Sequence, residues 1–194
     1  MMSGAVQMAQ KVWTEEDLQA LPDDGYVYEV VDGRLIMSPK NNFFHERICM
    51  RLSSALNAFV TERRLGVVLG SSAGFWMRNQ NCRAPDISFI PLSRLQGLQF
   101  KPNSREFFPG APDLAIEVLS RSNSPEEIQD RLEDFFESGT QIAWIIHPER
   151  EFVEICRSPT DRKMLGSGAM LDGERLLPGF SYPIADLFKE WDWD

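Results

Sequence analysis

Apolar and polar positions alternate along the chain with two periods, near two and near 3.6 residues, and the changes of period mark the expected elements. Thr14 followed by Glu15, Glu16 and Asp17 reads as an N-cap with an acidic first turn, opening a short helix that stops near Leu21-Pro22. The β-rich runs Tyr26 to Val31 and Arg34 to Met37 flank Asp32-Gly33, a strong hairpin signal, and Ser38-Pro39 closes the hairpin. From about Phe44 to Arg64 the spacing becomes helical, with Ile48, Leu52, Ala55, Leu56 and Phe59 on one face. His45 falls inside that stripe and Glu46 on the opposite side, and Gly66 ends the helix.

Strand-like runs follow at Val67 to Leu69, Gly74 to Met77, Ala84 to Ile90 and Asp113 to Leu119. Residues 91–112, rich in Pro, Gly and Ser, read as a long excursion. Ser124-Pro125-Glu126-Glu127 carries the capping-box spacing with Pro in the first turn, and opens a second helix whose apolar stripe is Ile128, Leu132, Phe135 and Phe136. Gly139 follows as its C-cap, then strands at Gln141 to His147 and Phe152 to Ile155, and Leu177-Pro-Gly-Phe-Ser-Tyr-Pro leads into a short terminal helix. No repeat or linker divides the chain. The expected architecture is α/β (α+β): one domain over residues 1–194, a central mixed β-sheet flanked by two main helices, and a loose tail at 1–12.

Composition narrows the partners. The 194 residues are 43% hydrophobic and 25% charged, enough to build a core and incompatible with a collagenous or wholly disordered chain. With 20 Lys and Arg against 29 Asp and Glu the net charge is −9, which excludes holding nucleic acid by bulk charge alone and leaves room only for a small basic cleft. Cys49, Cys82 and Cys156 show neither CxxC nor Cys/His ligand spacing, so buried free thiols in a reducing compartment are expected rather than disulfides or a structural zinc site. No apolar run approaches the roughly 18 residues of a membrane span. The N-terminal MMSGAVQMAQ has no charged segment followed by an apolar one, so no membrane partner and a cytoplasmic location are expected.

Two acids stand out because their strands are otherwise apolar: Asp86 in APDISFI and Glu117 in DLAIEVLS. A buried charge needs a partner, a proton or a metal. If the two strands are neighbours, both carboxylates can converge on one hard divalent cation, with the Val118 carbonyl as a third oxygen. The alternative is that each pairs with an arginine such as Arg83 or Arg121.

The order of LPDDGYVYEVVDGRLIMSP, His45 at a helix start, RAPDISFI, PDLAIEVLS, SGTQIAWIIHPE and a late LLPGF resembles the Uma2 family, also called DUF820. That family is similar to the PD-(D/E)XK, restriction-endonuclease-like nucleases. The resemblance implies a restriction-endonuclease-like core with an N-terminal β-hairpin extension. It matches Pro85-Asp86 to the PD element and Glu117 to the second acid, and it marks Glu29 as a neighbour of the site.

The pattern is broken where a lysine stands two residues after the second acid, because Leu119 is there. Related sequences carry a lysine in the following helix, and that position here is Arg131. Arginine stays protonated and cannot be a general base, but it can stabilise a pentavalent phosphate. Arg131 lies roughly 85° from the centre of the apolar stripe, at a border from which it either reaches a cleft or pairs with Glu127 in solvent.

His45 reads either as a core histidine or, from its place in the resemblance, as a substrate-orienting residue beside the acids. Glu46 is excluded by its helical phase. His147, where relatives have Asp before Pro148, and Trp144, Trp191 and Trp193 read as structural, since no basic residues interleave with the tryptophans.

The resemblance therefore implies an endonuclease that hydrolyses DNA with Mg²⁺ or Mn²⁺ held by Asp86, Glu117 and Val118. Arg131 and Glu29 complete the catalytic set, and the chain is expected to be a homodimer. The rival expectation is a catalytically degenerate module of the same fold that binds nucleic acid or protein.

Overall fold

The computed structural model describes residues 11–22, 24, 26–38 and 41–190. Most of the expected tail (1–10), Pro39, Trp191 and Trp193 lie outside the described residues.

The first element of the described residues is helix α1 (Glu15–Gln19), capped by Thr14 and Asp17 in a reciprocal capping box. Strands β1 (Val27–Val31) and β2 (Arg34–Ser38) form the hairpin, with Asp32 and Gly33 both at positive φ (50° and 71°) as a two-residue turn of this twist requires. Helix α2 (Phe43–Arg63) buries His45, Ile48, Leu52, Leu56 and Val60 on one face. After it come β3 (Gly66–Gly70), β4 (Phe75–Trp76), β5 (Cys82–Arg83), β6 (Ile87–Pro91), α3 (Leu92–Gly97), β7 (Phe108–Pro109) and β8 (Leu114–Val118). Helix α4 (Pro125–Glu137) follows its Ser124–Glu127 capping box. The chain then runs through β9 (Ile142–His147), a 3-10 turn (Pro148–Arg150), β10 (Phe152–Cys156), β11 (Arg162–Gly166), β12 (Met170–Gly173), β13 (Leu177–Pro183) and α5 (Ile184–Phe188).

The main sheet has six strands in the order β11-β10-β9-β8-β6-β3. Its neighbours are antiparallel except β8 and β9, which run parallel with α4 as the crossover between them. One face packs against α2, α5 and β13 through Leu52, Leu56, Trp144, Phe180 and Leu187. The other packs against α4 and the smaller sheet through Leu132, Phe135, Phe75 and Phe108.

Three expectations change. The hairpin is not an isolated extension but the edge of a second, five-stranded sheet, β2-β1-β5-β4-β7. The 91–112 excursion contains α3 and β7, short elements held by tertiary pairing (β7 on β4) rather than by a sequence period. Lastly, Ala84 to Ile90 is not one strand. Cys82–Arg83 belongs to the small sheet and Ile87–Pro91 to the large one, so Ala84-Pro85-Asp86 carries the chain from one sheet to the other. Pro85 has no N–H to give a ladder, which suits it to this crossing.

Candidate active site

That crossing sets the geometry of the acids. Strands β6 and β8 pair as far as Ile87 opposite Ile116, and Asp86 and Glu117 are the residues that follow this last pair on either strand. Because the ladder stops at that point, the Val118 main chain lacks a β6 partner, and its N–H donates instead to Asp86 Oδ2 at 2.8 Å.

Asp86 Oδ2 also meets His45 Nε2 at 3.1 Å. His45, 3% exposed at the start of α2, turns its Nδ1 to the Cys49 thiol at 3.5 Å, and Glu46 Oε1 stands 3.6 Å from the same nitrogen. Burial favours the neutral imidazole, yet the Asp86 hydrogen bond and charge, Glu46 and the Val118 backbone together raise the His45 pKa. Glu46 is otherwise solvent-exposed, as its helical phase requires.

On the other side of the acid pair Arg131 reaches inward from α4. Its Nε and NH2 lie 2.9 Å and 2.8 Å from Glu117 Oε1, while NH1 and NH2 hold Glu29 at 2.7 Å and 3.0 Å. Glu29, 3% exposed in β1, also accepts the Ala84 N–H at 2.7 Å and approaches Arg83 at 3.5 Å. Arg83 in turn pairs with buried Asp134 at 2.6 Å, and Asp134 accepts from Asn79 and Asn81 as well. The result is a chain of alternating charge, Asp134–Arg83–Glu29–Arg131–Glu117, that ties both sheets to α4.

Electrostatics follow from this order. Burial pushes the Glu117 carboxyl up to about 8, with Asp86 and Glu29 adding to the rise and Arg131 opposing it. Glu29 is also penalised by burial, but two guanidinia and the Ala84 N–H hold it below the usual carboxylate range. Arg131 stays firmly cationic: burial works against the charge, and the carboxylates of Glu117 and Glu29 outweigh it.

The structure thus brings Glu29, His45, Asp86, Glu117, Val118 and Arg131 around one cavity of about 140 Å³. The alternative Arg131–Glu127 pair does not form among the described residues, and Glu127 instead caps α4 through Ser124. Arg121 pairs with Glu149 on the surface, and His147 contacts Glu154, both away from the acids. Sequence reasoning named Arg83 only as an alternative partner of the two acids and Cys49 only as a free thiol, and it missed Asp134, Asn79 and Asn81. The signals for the first two were a cationic residue beside Pro85-Asp86 and a cysteine four residues after His45 on a helix.

A family model named Uma2, described as a "putative restriction endonuclease", matches residues 15–185. Among solved structures, a "putative nuclease belonging to DUF820" from Anabaena variabilis is similar in fold, with TM-score 0.78 and 23% sequence identity over 91% of this chain and 97% of that one. No curated protein matches the chain. With the family match running from α1 into α5 and the fold reproduced over nearly the whole of the similar structure, this chain belongs to the Uma2 family.

Proposed function

We propose that the chain is a divalent-cation-dependent endonuclease that hydrolyses DNA phosphodiester bonds at the cavity bounded by Asp86 and Glu117. One observation carries the reading: the two acids line one cavity, and each keeps an oxygen, Asp86 Oδ1 and Glu117 Oε2, without a hydrogen-bond partner among the described residues. The donor set is carboxylate and carbonyl oxygen, which suits Mg²⁺ or Mn²⁺. Asp86, Glu117 and the Val118 carbonyl would hold the ion. A bound cation of this kind lowers the pKa of its water and offsets charge on the phosphate.

The chain's own residues supply the positioning. Arg131 fixes Oε1 of Glu117, leaving the other oxygen to the cavity, and Glu29 holds the guanidinium in place. His45 and the Val118 N–H do the same for Oδ2 of Asp86. Arg131, engaged by two carboxylates, acts on the substrate through Glu117 rather than by direct contact.

The test is nicking of supercoiled DNA with Mg²⁺ or Mn²⁺. Asp86→Ala and Glu117→Ala are expected to lose at least the roughly 10–100-fold that even outer-shell changes cost a metal site, whereas undiminished cleavage by Asp86→Ala contradicts the role. A second reading, a non-catalytic nucleic-acid-binding module, is favoured by Leu119 at the lysine position and by the committed guanidinium of Arg131. It predicts DNA retention at low salt with no nicking in the same sample. Cutting both strands with one such site per chain calls for a homodimer, which sedimentation of the DNA complex would reveal.

A further inference from the structure

We infer that His45, Cys49 and Asp86 form a second cation site, one for a thiophilic divalent ion such as Zn²⁺, on the helix side of the acid pair. One ligand atom from each lies within 4.8 Å of the other two. One contact, His45 Nδ1 to Cys49 Sγ at 3.5 Å, already has the spacing of atoms sharing a coordination shell, and Asp86, whose Oδ2 meets the other ring nitrogen at 3.1 Å, would turn from Nε2 toward the same ion. Zinc bond lengths near 2.0–2.3 Å put tetrahedral ligands roughly 3.3–3.6 Å apart, so closing the set needs side-chain rotations on the order of 1 Å.

The donors are well placed to be drawn together. His45 and Cys49 sit one turn apart on the 21-residue helix α2, where residues four apart project to the same side. Cys49 is partly exposed, unlike Cys82 and Cys156, which are buried in the core. Binding of a cation at Cys49 forms the Sγ–metal bond and releases the thiol proton to solvent. Glu46, 3.6 Å from Nδ1 on the solvent side, and water are available for the remaining position.

The donor set differs in kind from that of the proposed nuclease centre. Imidazole and thiolate select borderline and soft ions, whereas the oxygens of Asp86, Glu117 and Val118 select hard ones. Only Asp86 is common to both, so an ion held by Cys49 competes for a carboxylate that the Mg²⁺ or Mn²⁺ site also needs. The thiophilic site does not require the nuclease reading to hold.

Co²⁺ reports it directly, because a thiolate ligand to cobalt gives a near-ultraviolet charge-transfer band. Reduced, metal-free, full-length protein titrated with Co²⁺ is expected to develop that band with one equivalent and to lose it when Zn²⁺ is added. Cys49→Ser abolishes it, and His45→Gln weakens Co²⁺ binding at least tenfold, while Glu117→Gln retains the band. A band that survives Cys49→Ser, or none in the unaltered protein at millimolar Co²⁺, overturns the proposal.

Should Cys49→Ser fail to fold, alkylation of the unaltered protein decides: Zn²⁺ is expected to protect Cys49 from iodoacetamide, and unchanged labelling overturns the site. Mn²⁺ binding lost in Glu117→Gln but kept in Cys49→Ser reports on the nuclease centre alone, so the two can fail separately.

Discussion

Arg131 shows how much one residue carries. Its guanidinium joins Glu29 of the small sheet to Glu117 of the large one, and removing it leaves two buried carboxylates facing each other. Arg131→Met, which keeps most of the volume, should destabilise the protein by about 3–5 kcal/mol in urea unfolding, the cost of breaking a buried ion pair. A change below 1 kcal/mol would show that the contacts are not formed. Arg131→Lys should fall between, because an ammonium keeps the charge and loses the planar fork.

Glu29 adds a pH test. Its folded pKa lies below the unfolded value, so it contributes stability that is complete above about pH 4.5 and is lost as pH falls through the folded value. The acid limb of stability should therefore be shallower in Glu29→Gln than in the parent when ΔG is followed from pH 6 to pH 3. Asp86 and Glu117 were legible as candidate site residues because a carboxylate in an apolar run demands an explanation. The Asp134–Arg83–Glu29–Arg131 chain was not, because it joins positions up to 105 residues apart that share no period, and only the folded sheets bring them together.

At the scale of elements, the strongest local signals were read correctly: the Asp32-Gly33 turn, the stripe of α2, and the capping box of α4. Ser124→Ala should cost about 1 kcal/mol by removing the acceptor of the Glu127 N–H, measured as a shift in urea midpoint at constant slope. What stayed hidden were elements without a strong period. β11 is a largely exposed edge strand, β5 and β7 are two residues each, and α3 has no side-chain cap.

Gly66 illustrates a constraint visible only in three dimensions. A Cβ there would lie 2.0 Å from the Ile90 carbonyl oxygen, where β3 meets β6. Gly66→Ala is thus expected to destabilise by about 1–3 kcal/mol as the strands part, and a neutral effect would mean the strand edge yields freely.

For the whole molecule, the acid pair sits where the chain leaves one sheet for the other, with the start of α2 on one side and α4 on the other. In a chain of net charge −9, the two cations nearest the acid pair, Arg83 and Arg131, are held by buried carboxylates rather than presented on a basic surface. It also places the central claim in one property, the capacity of Asp86 and Glu117 to share a hard divalent ion. Calorimetric titration of Mn²⁺ into the metal-free protein and into Asp86→Asn and Glu117→Gln tests that property most directly. The account predicts saturable binding in the parent that is lost in both variants while each stays folded. Absence of binding at millimolar Mn²⁺, or equal binding by all three proteins, would contradict it.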